Sequence, residues 1–194
     1  MKIILSTLFI LNVFFAKAQT LNYAISTSKN QIGHLEVTKK KKGDLLLVSV
    51  ESAVKVKLFV EVELNYKLNT IFKNGVLIYS SSTTYVNGKI HESSKIEKKE
   101  GYYKLTKNGH ESRYLDKIYY TGASLYFSEP KNITHVFSEF EIINQTIKKI
   151  STNEYELTNP SNNQVNTYSY TNGVLKSAII PHSMVTFYIT REHH

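Results

Sequence analysis

Val54-Lys55-Val56-Lys57-Leu58-Phe59-Val60-Glu61-Val62-Glu63-Leu64 sets an aliphatic residue at every second position, with lysine or glutamate at most of the others. A period of two is what a strand shows when one face packs and the other meets water. The stretch predicts one long two-faced strand, and its apolar positions become candidates for the inner surface of a sheet. Shorter versions of the pattern recur at 21–28, 33–39, 45–50, 77–85, 102–107, 154–158, 165–171 and 184–190. Turn signals separate them. Asn-Gly stands at Asn74-Gly75, Asn87-Gly88, Asn108-Gly109 and Asn172-Gly173, and this dipeptide tolerates positive φ at both centres of a type I′ turn, so each is expected to be a hairpin. Gly43 and Gly101 mark two further turns. Only residues 122–129 read as a short helix, which Pro130 would end. The expected fold is mainly β: a single antiparallel, strongly curved sheet, half-barrel or open barrel, of about ten strands with one short helix.

The chain has 194 residues, with Lys+Arg 24 against Asp+Glu 16, no cysteine and no tryptophan. Disulfide scaffolds, thiolate metal sites and cysteine nucleophiles are excluded. At 41% hydrophobic and 12% aromatic the chain is too apolar for disorder. Met1-Lys2, the apolar run Ile3 to Phe15 and the small-x-small Ala16-Lys17-Ala18 read as a secretory signal peptide over 1–18, cleaved after Ala18. The apolar run falls short of the roughly twenty residues that span a bilayer. A soluble exported protein, periplasmic or extracellular, is expected, with one β domain over 19–194. Removing Lys2 and Lys17 leaves 22 basic residues against 16 acidic ones, so the mature chain stays basic.

Hydrolase elbows, His-Glu-x-x-His and glycine-rich phosphate loops are absent from the sequence. The histidines at 34, 91, 110, 135 and 182 are scattered singly, without the paired spacing that aims two imidazoles at one metal. No catalytic residue, metal or cofactor is assigned. An enzyme would need His34, Glu36, Asp116 and Arg113 in one cleft, and the non-catalytic reading is preferred. Gly33 before His34 suggests close backbone approach or a bulge. Lys39-Lys40-Lys41-Lys42 sits before Gly43-Asp44 at an apparent hairpin tip, where solvated lysines guard strand ends. With arginine only at 113 and 191, nucleic acid is not expected as a partner, and the anionic heads of an outer envelope are the better electrostatic match.

Tyr23-Ala24-Ile25 leading into Gln31-Ile32-Gly33-His34-Leu35-Glu36-Val37, together with Phe72-Lys73-Asn74-Gly75, the segment from Ile118-Tyr119-Tyr120 to Ser128-Glu129-Pro130, and Tyr170-Thr171-Asn172-Gly173-Val174-Leu175, resembles a family of secreted bacterial proteins catalogued as domain of unknown function 6134. More remotely the chain looks like periplasmic half-barrels similar to lipoprotein carriers. The resemblance implies a curved sheet with a concave apolar face and carries over no catalytic residue. On this reading the protein is a non-catalytic binder or carrier of an apolar or lipid-like ligand. Val56, Leu58, Val60 and Val62 form the binding face, and Tyr119, Tyr120, Tyr126 and Phe127 cover it. The alternative is an envelope module that binds protein or polysaccharide through lysine-rich edges and tyrosines. A pocket lined by Val, Leu, Ile and Phe favours the first, and a sheet filled by its own side chains, with an exposed tyrosine patch, favours the second. Ligand identity and oligomeric state stay open.

Overall fold

The computed structural model describes residues 18–57, 60–183 and 185–192. Residues 1–17, which hold nearly all of the expected signal peptide, together with Leu58 and the closing His193-His194, lie outside the described residues. Eight strands come first: β1 (Ala18–Ser26), β2 (Gln31–Lys42), β3 (Leu45–Lys57), β4 (Glu61–Lys73), β5 (Val76–Val86), β6 (Lys89–Lys98), β7 (Tyr103–Lys107) and β8 (His110–Tyr114). A crossing segment carries a 3-10 helix at Gly122–Tyr126, and six strands follow: β9 (His135–Ser138), β10 (Ile143–Ser151), β11 (Glu154–Thr158), β12 (Val165–Thr171), β13 (Val174–Pro181) and β14 (Thr186–Arg191). All belong to one antiparallel sheet ordered β8-β7-β6-β5-β4-β3-β2-β1-β14-β13-β12-β11-β10-β9. The chain thus meanders from the middle to one end, crosses, and meanders back from the other end to pair β14 with β1.

The four Asn-Gly turns form as expected, with φ of 49° to 54° at the asparagines and 75° to 85° at the glycines. Gly33 packs against β3 so closely that a Cβ there would lie 2.2 Å from the Ala53 carbonyl oxygen, and the β1–β2 register shifts between Ile25 and Ser26 beside it.

Two expectations need correction. The sheet has fourteen strands rather than about ten; polar strands such as β6, Lys-Ile-His-Glu-Ser-Ser-Lys-Ile-Glu-Lys, lack the apolar alternation that marks the others. Residues 54–64 are not one strand. They are the end of β3 and the start of β4, with Val56 opposite Val62, Lys55 opposite Glu63 and Lys57 opposite Glu61. Two lysines followed at the mirrored spacing by two glutamates are a cross-strand charge pattern, hidden because Val54, Val56, Val62 and Leu64 keep one phase along the sequence.

The core falls into two clusters. The larger gathers inner-face residues of β1 to β4 and β10 to β13, including Tyr23, Val37, Val50 and Leu175, around Ala123, Leu125 and Val136. The smaller joins Phe72, Leu77, Ile96, Tyr103 and Leu105 to Ile118 and Phe137. Val136 and Phe137 are consecutive in β9 and point to opposite faces, yet both are buried. The end strand β9 is therefore enclosed on both sides, with the β4–β7 wing against its outer face. Its free edge is taken up by the crossing segment, since the Phe137 amide donates to the Tyr120 carbonyl at 3.0 Å. The two sheet ends meet through side chains: Asn144 Nδ2 donates to the Tyr114 hydroxyl at 2.7 Å, and the Tyr114 and Phe137 rings lie 5.1 Å apart.

Candidate functional site

Where the crossing segment reaches the β4–β6 wall, the dry face turns polar. Thr70, Ser80, Ser82 and Ser94 are all buried, and they pair across strands, Thr70 with Ser80 at 3.0 Å and Ser82 with Ser94 at 2.7 Å. Buried hydroxyls call for partners, and Glu139 supplies them. Ser94 Oγ donates to the Glu139 carbonyl at 2.6 Å, and Thr70 Oγ1 to its Oε1 at 3.3 Å. The Ala123 amide donates to the same Oε1 at 3.3 Å. Gly122 leaves the room this needs, since a Cβ there would come within 2.9 Å of Oε2. Glu139 is 2% exposed. Burial pushes its carboxyl above the ordinary carboxylate range, against the hydrogen bonds from Thr121, Ala123 and Thr70 that pull it down.

Above this polar seam lies a pocket of about 330 Å³. Its floor is Val50, Leu68, Leu125, Val136, Leu157 and Glu139; Tyr66, Tyr126 and Tyr168 wall it, and its mouth is Asn159, Asn162, Gln164, Asn166 and His182. The extended strands present alternate residues inward, so Leu157 of β11 and Asn166 and Tyr168 of β12 share this face. The hydroxyl of Tyr66 is raised by burial and then by the charge of Glu139. Tyr126 rises through burial, with Tyr168 and Tyr66 as neighbours. Burial lifts Tyr168 to about 12, partly offset by a hydrogen bond from Asn166. These are neutral hydroxyls at any physiological pH, equipped to exchange hydrogen bonds and to offer ring faces.

Of the described residues among the eight expected to bind ligand, only Tyr126 lines this pocket. Its ring meets Tyr23 edge-on at 5.7 Å. Val56 is buried in the larger core cluster, Val60 is 69% exposed, Val62 is half-buried, and Leu58 lies outside the described residues. Tyr119 is exposed, and with Tyr120 it lines a separate surface groove beside Tyr114 and Phe137. The Tyr120 hydroxyl donates to the Ser128 carbonyl. Phe127 lies under Lys39 Nζ, 4.5 Å from its ring centre. The apolar strip is thus roofed by the crossing segment, and the seven described residues do not converge. The sequence offers Glu139 only as a four-apart partner of His135, a helical spacing that the strand-like Val136-Phe137 between them argues against, and the pocket amides were not singled out. The available signal was Ser80 and Ser82, serines two apart on a strand, which a dry face tolerates only with a partner.

The four residues an enzyme would need do not converge either. His34 and Glu36 share a groove on the outer face with Glu51 and Lys67. Arg113 is on β8, six strands from β2 in the sheet order, and stacks on Tyr102 at 4.8 Å. Among the described residues there is no group of three or more His, Cys, Asp or Glu side chains able to hold a metal, and no helix is long and apolar enough to cross a membrane.

The sequence profile of a domain of unknown function, DUF6134, matches residues 23–192. No curated protein sequence matches the chain. Among solved structures, the beta-barrel-like protein of domain of unknown function DUF1849 from Brucella abortus is similar at a TM-score of 0.64 and 7% identity, over 91% of this chain and 96% of that one. At that identity the likeness is one of fold.

Proposed function

The chain belongs to the DUF6134 family, a domain of unknown function, and from that premise and its own geometry we propose that it is a non-catalytic binding protein holding a small molecule in the pocket beneath the β11–β12 turn. One observation carries the reading: the pocket runs from buried Leu157 and Glu139 to an exposed mouth at Asn162, a depth and volume in the range of small-molecule sites. The lipid-carrier form expected from sequence finds less support. Val48, Val50, Val54, Val56 and Leu68 pack with Ala123, Leu125 and Val136, which leaves no open apolar trough there for an acyl chain. A filled interior with an exposed tyrosine patch was the mark of the alternative reading; the interior is filled, but Tyr66, Tyr126 and Tyr168 are half-buried walls of the pocket and no exposed patch.

Export belongs to the same proposal: residues 1–18 act as the signal peptide and the mature chain works in the periplasm or outside the cell. Exposed Lys40, Lys41 and Lys42 at the β2–β3 turn would then meet anionic envelope surfaces. Native mass spectrometry of the protein purified from its own host's envelope tests the binding reading. We expect a co-purifying small-molecule mass that the Asn166→Trp variant, with its narrowed mouth, fails to retain. A bare polypeptide mass for the unsubstituted chain would contradict it.

A further inference from the structure

We infer that the pocket binds a neutral saccharide unit. The inference rests on the binding reading above and specifies its ligand class. The mouth is made of amides already oriented by the turn: Asn159 Oδ1 accepts from the Ser161 amide at 2.8 Å, Asn162 Oδ1 from the Gln164 amide at 2.9 Å, and Asn166 Oδ1 from Gln164 Nε2 at 2.9 Å. These bonds occupy carbonyl oxygens on three asparagines. They leave the NH2 groups of Asn159 and Asn162 as donors and the Gln164 carbonyl as an acceptor, side by side. Vicinal hydroxyls each donate and accept, and a row of fixed donors and acceptors complements them. The rings of Tyr126 and Tyr168 add flat apolar faces with polar tips, the surface against which the C–H face of a sugar ring packs.

Charge removes the other classes. Among the described residues the pocket lining contains no lysine or arginine and includes Glu139 and Glu141, the latter taking up the nearby Lys107 Nζ at 3.8 Å, so a phosphate or carboxylate ligand would meet only His182 at the mouth as a basic side chain of the lining. Glu139 is no free anion for a cation either, because Thr70 and Ala123 already donate to its Oε1 and only 2% of the residue is exposed at the pocket floor. A lipid chain would strand the amides unpaired. The volume of about 330 Å³ equals that of about eleven waters of the liquid at ~30 Å³ each, room for one sugar ring with its solvent.

The test is a titration of the full mature chain, followed by NMR of the side-chain amides and by tyrosine fluorescence, free of tryptophan background. The probes are glucose, N-acetylglucosamine and maltose, then glucuronate, choline and decanoate. We expect saturable shifts at Asn159, Asn162, Gln164 and Asn166 with at least one neutral sugar, and at least tenfold weaker binding of glucuronate. Gln164→Leu at the mouth should weaken sugar binding at least fivefold with an unchanged melting temperature, and Tyr168→Phe, which keeps the ring packed against the larger core cluster and removes only the hydroxyl, should weaken it at least fivefold as well. Glucuronate binding as tightly as glucose overturns the inference. Decanoate or choline binding at these amides, with no sugar binding, overturns the saccharide class and leaves the binding reading standing. No saturable shift with any probe sinks both.

Discussion

Tyr170 is 4% exposed and its hydroxyl is buried without a hydrogen-bond partner, while the neighbouring Tyr23 hydroxyl donates to the Leu175 carbonyl at 3.2 Å and Tyr155 to Glu129 at 2.8 Å. An unpaired buried hydroxyl carries a desolvation cost of about 1–3 kcal/mol. Tyr170→Phe should therefore raise stability by about 1 kcal/mol in urea unfolding, whereas Tyr155→Phe should lower it. Glu139 gives a pH dependence whose sign follows from its burial. Its folded pKa is raised above the ordinary 4.5, so between those two values the folded state binds more protons than the unfolded one. The contribution is full below 4.5 and lost as pH rises through the folded value. The stability of the native chain minus that of Glu139→Gln should fall as pH is raised from 4.5 toward neutrality; a difference that is flat or rises would show that burial does not govern this carboxyl. Glu139 was not legible in the sequence because what defines it lies far along the chain, in Thr70 and Ser94, and no local spacing announces such a partner.

At the scale of elements, the turns were legible because their constraint is local. Positive φ at Asn108 and Gly109 is written into two adjacent residues. Gly75 at φ +77° has open space where a Cβ would sit, whereas Gly33 would drive one into the Ala53 carbonyl. Gly75→Ala should cost about 1 kcal/mol through its backbone, and Gly33→Ala about 3 kcal/mol through a clash that needs β2 and β3 to part, both read from chemical denaturation. The 54–64 stretch was misread because period two specifies faces and not direction: Val54 and Val56 face the same way as Val62 whether the chain runs on or doubles back. The charges decide. Lys57→Glu should lose about 0.5 kcal/mol by placing like charges at the Lys57–Glu61 pair, and adding Glu61→Lys should recover most of it. Recovery would not occur across a continuous strand.

For the whole molecule, the curved antiparallel sheet with a dry inside was legible from alternation, but what occupies that inside was not. Residues 115–142 carry Leu125, Val136, Phe137 and Glu139 on a path with no sustained period, and their placement follows from sheet ends that come together only in the folded chain. Lys107 shows how firmly this path is held. Its Nζ donates to the Phe140 carbonyl at 2.8 Å and Glu92 at 3.1 Å, and it lies 3.7 Å from the Phe140 ring centre. Filling the concave face turns an apparent lipid trough into a packed core, and the pocket beneath the β11–β12 turn lies beside it. The direct test is a NOESY spectrum of the mature protein. Enclosure of β9 predicts ring contacts from Phe137 to Tyr114 on one side, with Val136 methyl contacts to the larger core cluster on the other. A Phe137 ring without contacts to Tyr114, and Val136 methyls open to solvent, would mean that the concave face is empty and that the account of this protein is wrong.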